Sequence, residues 1–148
     1  MHELPGLPSI PVEGDLLDGK GTQGVIGLKV PRSYDSTVVL YEGARRTLVE
    51  LATNPRYRNI ILATASSSLE PTYSYACLEA IEIIPGVTMS DMFQYNQIGR
   101  TGRLTSRKTS HFRNLHEDSG VPYEEMLFFD GTQLLFCPVW AVFIVALY

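Results

Sequence analysis

An α/β domain built on a Rossmann-like, doubly wound parallel sheet is the fold this sequence predicts, and three stretches carry the expectation. Asn59-Ile60-Ile61-Leu62-Ala63-Thr64-Ala65 and Met126-Leu127-Phe128-Phe129 are short continuous apolar runs, the pattern of strands covered on both faces. Each ends in groups suited to chemistry, the first in Ser66-Ser67-Ser68 and the second in Asp130. Between them Phe112, Leu115, His116 and Ser119 recur at helical spacing from Lys108 onward. Gly120 then supplies a left-handed stop, and Pro122 prevents the helix resuming. Strand and helix patterns in alternation make a parallel sheet with right-handed crossovers.

The remaining elements follow in chain order. Residues 1–22 are rich in Pro and Gly and are expected to be irregular, with Gly19-Lys20-Gly21-Thr22 as a turn and no G-x-x-x-x-G-K phosphate loop. Gln23 to Val30 and Thr37 to Leu40 read as strands separated by Pro31 and Ser33-Tyr34-Asp35, a hairpin expected to act as a small cap or flap. Glu42 to Thr53 reads as a helix with Ala44, Leu48 and Leu51 inward, ended by Asn54-Pro55. Pro71 to Ile84 reads as the next helix, closed by Pro85-Gly86, and Met92 to Gln97 as the next strand. No internal repeat is visible.

Bulk properties set the class. With 148 residues, 45% hydrophobic and 19% charged, the chain can bury one sizeable core, assigned to residues 1–131. Cys77 and Cys137 give neither a disulfide framework nor a zinc pattern. The acidic, Pro-containing start has no basic n-region or apolar h-region, so a cytoplasmic protein is expected. Residues 132–148 carry no charge. They read as a last buried strand or two, a membrane anchor, or sequence outside the selected fold. As a helix these 17 residues would span about 25 Å, short of a ~30 Å hydrocarbon core, and Pro138 interrupts them.

The strand ends are the candidate site. Ligands in open α/β sheets bind outside the carboxyl ends of strands, so Asp130 is placed as a metal ligand or catalytic acid, or else as a turn-starting Asp. Ser66 to Ser68 offer hydroxyls and backbone N–H groups that suit an oxyanion, the plainer role being helix N-capping. From Met92 to His116 there are Arg100, Arg103, Arg107, Lys108 and Arg113 and no acid, although the chain's formal charge is −4. That local sign favours an anionic ligand, or else marks a solvated basic loop; Lys108 would add its charge to a helix N-terminus. Phe93, Tyr95 and Phe112 are spaced as core residues, so nucleic-acid binding is not expected. His111 and His116 lie five apart on different helical faces, and His111 reads as a packing or capping residue.

In this order, strand-Ala65-Ser66, Lys108-x-x-His111-Phe112-x-x-Leu115, then Gly120-Val121-Pro122-Tyr123-x-x-Met126-Leu127-Phe128-Phe129-Asp130, the chain resembles the magnesium-dependent phosphatase family within the haloacid-dehalogenase-like (HAD-like) hydrolases. The resemblance covers about Val38 to Asp130 and takes in Leu40-Tyr41-Glu42-Gly43. It implies that Ser66 hydrogen-bonds the transferring phosphoryl group, that Lys108 neutralises it and orients the nucleophile, and that Asp130 is the first acid of a Mg²⁺ site. It also implies a phosphorylated small molecule or phosphoprotein as substrate, with phosphotyrosine and sugar phosphates as the options.

The departures are equally specific. The family attacks phosphate with the first Asp of a D-x-D motif at the end of a central strand, and this chain has no D-x-D; Gly14-Asp15-Leu16-Leu17-Asp18 lacks the spacing. Gly131 stands where a second acid is expected, as reading through a split Asp codon would produce. A domain truncated at both ends, without its first central strand and inactive as written, is therefore expected. The alternatives are a noncatalytic phosphate- or anion-binding or interaction protein that keeps Ser66 and Lys108, and a tail-anchored membrane protein.

Overall fold

In a computed structural model of the chain, residues 10–16, 23–29 and 37–129 are described. Three strands come first, β1 (Ile10–Asp15), β2 (Gln23–Lys29) and β3 (Thr37–Val39), joined antiparallel in the order β1-β2-β3. Helix α1 (Glu42–Thr53) leads to β4 (Leu62–Ser66), and α2 (Pro71–Ala80) to a short hairpin of β5 (Glu82–Ile84) and β6 (Val87–Thr88). One helical turn, α3 (Met89–Met92), precedes β7 (Phe93–Ile98), and α4 (Lys108–Ser119) follows. The fold is mixed α/β, with a small parallel sheet formed by β4 and β7.

The parallel pair organises the packing. All five residues of β4 are buried, as expected of a strand covered on both faces. Successive side chains leave a strand on opposite faces, and the two faces of β4 serve different apolar clusters. Leu62 packs with Leu48, Leu78, Ile83, Met89 and Phe93. Ala63 and Ala65 pack with Leu115 and Val121, flanked by Phe112, Met126 and Phe128. α1 and α4 match their sequence signals closely. Leu48 is 1% exposed on the inner face of α1, and Asn54 caps its end before Pro55. α4 stops at Gly120, whose φ of 74° is the left-handed conformation that glycine adopts without strain.

Four expectations are corrected. Residues 1–22 are not irregular throughout, because Ile10–Asp15 pairs with β2 as an edge strand; Pro11 is tolerated there since an edge strand need not donate from every N–H. The β2-β3 hairpin is not a flap, since Leu28 and Val38 are buried in the same cluster as Leu48 and Leu62. The helix from Pro71 ends at Ala80 rather than Ile84. Ile81 and Ile83 are buried and alternate with half-buried Glu82 and Ile84, a period of two that β-branched side chains favour over another helical turn, and Pro85-Gly86 becomes the hairpin turn. Met126–Phe129, finally, is extended but joins no ladder among the described residues. Only Met126 and Phe128 pack inward, Phe128 meeting Phe112 edge-on at 4.8 Å, while Leu127 and Phe129 are 52% and 54% exposed. Among the described residues one of its faces therefore lacks the cover that a continuous apolar run predicts.

Glu82 ties the β5-β6 hairpin to the β1-β2-β3 sheet. Its carboxylate accepts the Val25 N–H at 2.7 Å and the Gly86 N–H at 3.1 Å, and these bonds hold its pKa below the usual range. A depressed carboxyl contributes stability above its unfolded pKa and loses that contribution as pH falls through the lowered folded value. Glu82→Gln is expected to cost about 1 kcal/mol at pH 7, a charge-assisted bond discounted for solvent screening. Urea titrations should show the gap between variant and wild type narrowing as pH falls below the ordinary carboxylate range; an equal gap at neutral and acid pH would refute the role of the charge.

Candidate functional site

β4 and β7 are parallel and in register at their ends, with Ser66 opposite Ile98, so the residues just beyond them converge. Backbone carbonyls at a strand end have lost the ladder that would pair them, and each needs a donor when buried. Here three successive carbonyls take donors from side chains of the basic segment. Ala65 accepts from Lys108 Nζ at 2.6 Å. Ser66 accepts from His111 Nε2 at 2.9 Å and from the Gly99 N–H at 2.8 Å. Ser67 accepts from Arg100 Nε at 2.8 Å.

The centre of this arrangement is His111, 0% exposed. Its Nε2 lies 2.9 Å from Ser66 O and 3.0 Å from Gly99 O. Both partners are acceptors, so the ring carries a proton on that nitrogen. One imidazole thereby joins α4 to the ends of both parallel strands, the packing and capping role that its spacing suggested. Gly99 permits this geometry. Its φ is 109°, and a Cβ there would come within 3.0 Å of Pro71 Cγ at the start of α2, so any other residue would be strained and crowded.

Ser66 and Lys108, singled out from the sequence, are thus brought together. Ser66 is 2% exposed at the last position of β4, and Lys108, the first residue of α4, is anchored at the carbonyl of the residue before it. The Ser66-Ser67-Ser68 turn is held locally by the Ser68 hydroxyl, which accepts the Glu70 N–H at 3.0 Å. Ser68 thus stabilises the entry to α2 without being its N-cap, which is Glu70. Asp130 lies outside the described residues, as do Gly131 and residues 132–148.

The arginines of the basic segment differ in their partners. Arg103 pairs with Glu117 of α4, and that hydrogen bond, with the carboxylate's charge, holds its guanidinium even more firmly protonated than usual. Arg107 and Arg113 are exposed. Arg100 belongs to the same basic run, yet it is fixed at the Ser67 carbonyl, next to Ser66. The signal that would have found it is its place directly after the β7 strand end, the same reasoning that singles out Ser66 at the end of β4. Beneath these residues Asn114 Nδ2 donates to Gln97 Oε1 at 3.1 Å and Gln97 Nε2 to Asp118 Oδ2 at 2.8 Å, locking α4 to β7.

The resemblance implies a Mg²⁺ site. Among the described residues no group of three or more His, Cys, Asp or Glu side chains could hold a metal ion. The described residues alone do not fit Mg²⁺. Among them, too, no helix is long and apolar enough to cross a membrane.

Comparison with known proteins points to a phosphatase family. A family model described as Acid Phosphatase matches residues 20–134. A HAD-like hydrolase superfamily protein of Schizosaccharomyces pombe is 25% identical over 97 residues, 66% of this chain and 53% of that protein. The chain therefore spans about half the length of the curated relative it matches. No solved structure matches the chain.

Proposed function

The chain belongs to the acid phosphatase family of HAD-like hydrolases, and from that premise we propose that its strand-end site binds the phosphoryl group of a phosphomonoester for hydrolysis. The observation that carries this reading is the Lys108 ammonium, seated 2.6 Å from the Ala65 carbonyl and so beside Ser66. Phosphoryl transfer is mostly positioning and charge neutralisation. Lys108 supplies a fixed positive charge, and Ser66 supplies a hydroxyl to a phosphoryl oxygen at a buried strand end where donors act in low dielectric. Asp130 is the proposed first acid of a Mg²⁺ site. The β4-β7 pair would be one side of a doubly wound sheet whose neighbouring strand ends in D-x-D. Phosphotyrosine or a sugar phosphate as substrate, and a cytoplasmic location, belong to the same proposal.

Because none of the 148 residues forms a D-x-D, this chain by itself would bind phosphate without turning over an ester. The test is titration of the chain with inorganic phosphate, followed by calorimetry. Lys108→Ala is expected to weaken binding by at least about tenfold, since loss of a charge-assisted contact costs roughly 1.5–3 kcal/mol, with circular dichroism unchanged. Equal affinity in wild type and Lys108→Ala would overturn the assignment of Lys108.

A further inference from the structure

Of the three side chains that hold the Ala65, Ser66 and Ser67 carbonyls, Arg100 is placed to do more than hold. A guanidinium carries five donors in a planar fork. The bond to Ser67 uses Nε alone, and Nη1 and Nη2 of Arg100 make no hydrogen bond or ion pair among the described residues. Arg100 is exposed. Arg103, by contrast, already directs Nη2 at Glu117, so an incoming anion would have to compete with a carboxylate.

We propose that Arg100 is an anion-binding residue of this site, its Nη edge taking two oxygens of phosphate or of the phosphoryl group of a phosphomonoester. Lys108 is anchored at the carbonyl one residue before Ser66 and Arg100 at the carbonyl one residue after it, so the two cations bracket the candidate hydroxyl. The pairing divides the work by chemistry. Lys108 offers a compact charge, and Arg100 offers the two parallel N–H bonds that fit a tetrahedral oxyanion.

Anchoring is what separates Arg100 from an ordinary surface arginine. An unrestrained arginine gives up much rotamer freedom when it binds. Here Nε is already tethered, and the backbone just before it is fixed. Gly99 donates its N–H to Ser66 O at 2.8 Å and accepts from His111 at 3.0 Å, in a left-handed conformation closed off by Pro71. The fork is therefore held at the strand end before any ligand arrives.

This inference rests on the reading of Ser66 and Lys108 as a phosphate site, and the test separates the two. The full 148-residue chain is titrated with inorganic phosphate as wild type, Arg100→Ala, Arg100→Lys and Lys108→Ala, each checked by thermal melting. Arg100→Ala is expected to weaken phosphate binding at least about tenfold. Arg100→Lys should lose nearly as much, because one ammonium can keep the bond to the Ser67 carbonyl but cannot present a two-pronged edge. Both variants should melt close to wild type. Wild-type affinity in Arg100→Lys would show that Arg100 only holds the turn, and wild-type affinity in both Arg100 variants with loss in Lys108→Ala would overturn the proposal while leaving the phosphate site standing. No phosphate binding by the wild type would overturn both.

Discussion

His111→Ala is expected to lower the unfolding free energy by about 3 kcal/mol, the sum of a cavity at a fully enclosed site and the loss of donors to buried carbonyls. In a domain of this size that shifts the melting temperature by roughly 10 °C. The ring is 0% exposed and its Nε2 serves both Ser66 O and Gly99 O. Ser66 O keeps the Gly99 N–H at 2.8 Å, so the heavier loss falls on Gly99 O. His111→Gln, which can return one N–H donor, should recover part of the stability. Denaturant titration measures the effect. A loss under about 1 kcal/mol in His111→Ala would mean that the carbonyls find replacement donors and that the imidazole is not the tie between the strand ends.

The same residue illustrates what the sequence made legible. The signals that transferred to structure are those fixed by local physics: the apolar run that becomes β4, the glycine stop after Ser119, the Asn54-Pro55 boundary of α1. Each is decided within a few residues, by burial of a strand or by the dihedral preferences of Gly and Pro. Where the outcome depends on a distant partner, the local signal misleads. Ile10–Asp15 is a strand because β2 lies beside it, and its Pro and Gly content pointed the other way. The stretch after Ala80 could continue a helix on composition, but Ile83 packs fully buried in the main core, and the hairpin is what puts it there.

Site residues follow the same division. Ser66 and Lys108 were found from strand-end position and from charge against the chain's net sign, and the structure brings them together at the Ala65 carbonyl. Gly99 carried no signal and Arg100 stood only as one of five basic residues, because what matters about both is non-local. The carbonyls they serve or satisfy belong to Ser66 and Ser67, more than thirty residues earlier in the chain, and no periodicity reports such a bond. The chain's acidic total of −4 also hid that several basic side chains of this segment are occupied by carbonyl dipoles and by Glu117.

The catalytic expectation follows from what the strand end holds and what the sequence does not contain. With no D-x-D in its 148 residues, the chain would lack the nucleophile that the proposed reading requires for an aspartyl-phosphate, so hydrolysis of an aryl phosphate with Mg²⁺ present is expected to stay at background. β4 pairs with β7 along one edge, and Met126–Phe129 runs extended without a ladder among the described residues while packing Met126 and Phe128 against the cluster of Ala63 and Ala65. An apolar strand ending in D-x-D, supplied ahead of the chain together with Gly131→Asp, is expected to occupy the place between them and give turnover. In that form Lys108→Ala should lower kcat/KM by about 10²–10³, the scale of losing a fixed charge at a developing oxyanion, and Ser66→Ala by roughly tenfold, the scale of one neutral hydrogen bond. The ordering is the decisive part, because a cation that merely tied α4 to Ala65 would affect melting more than kcat/KM. EDTA-sensitive turnover by the unextended chain, abolished in Asp130→Asn, would sink the expectation and show that the nucleophile is among the acids already present.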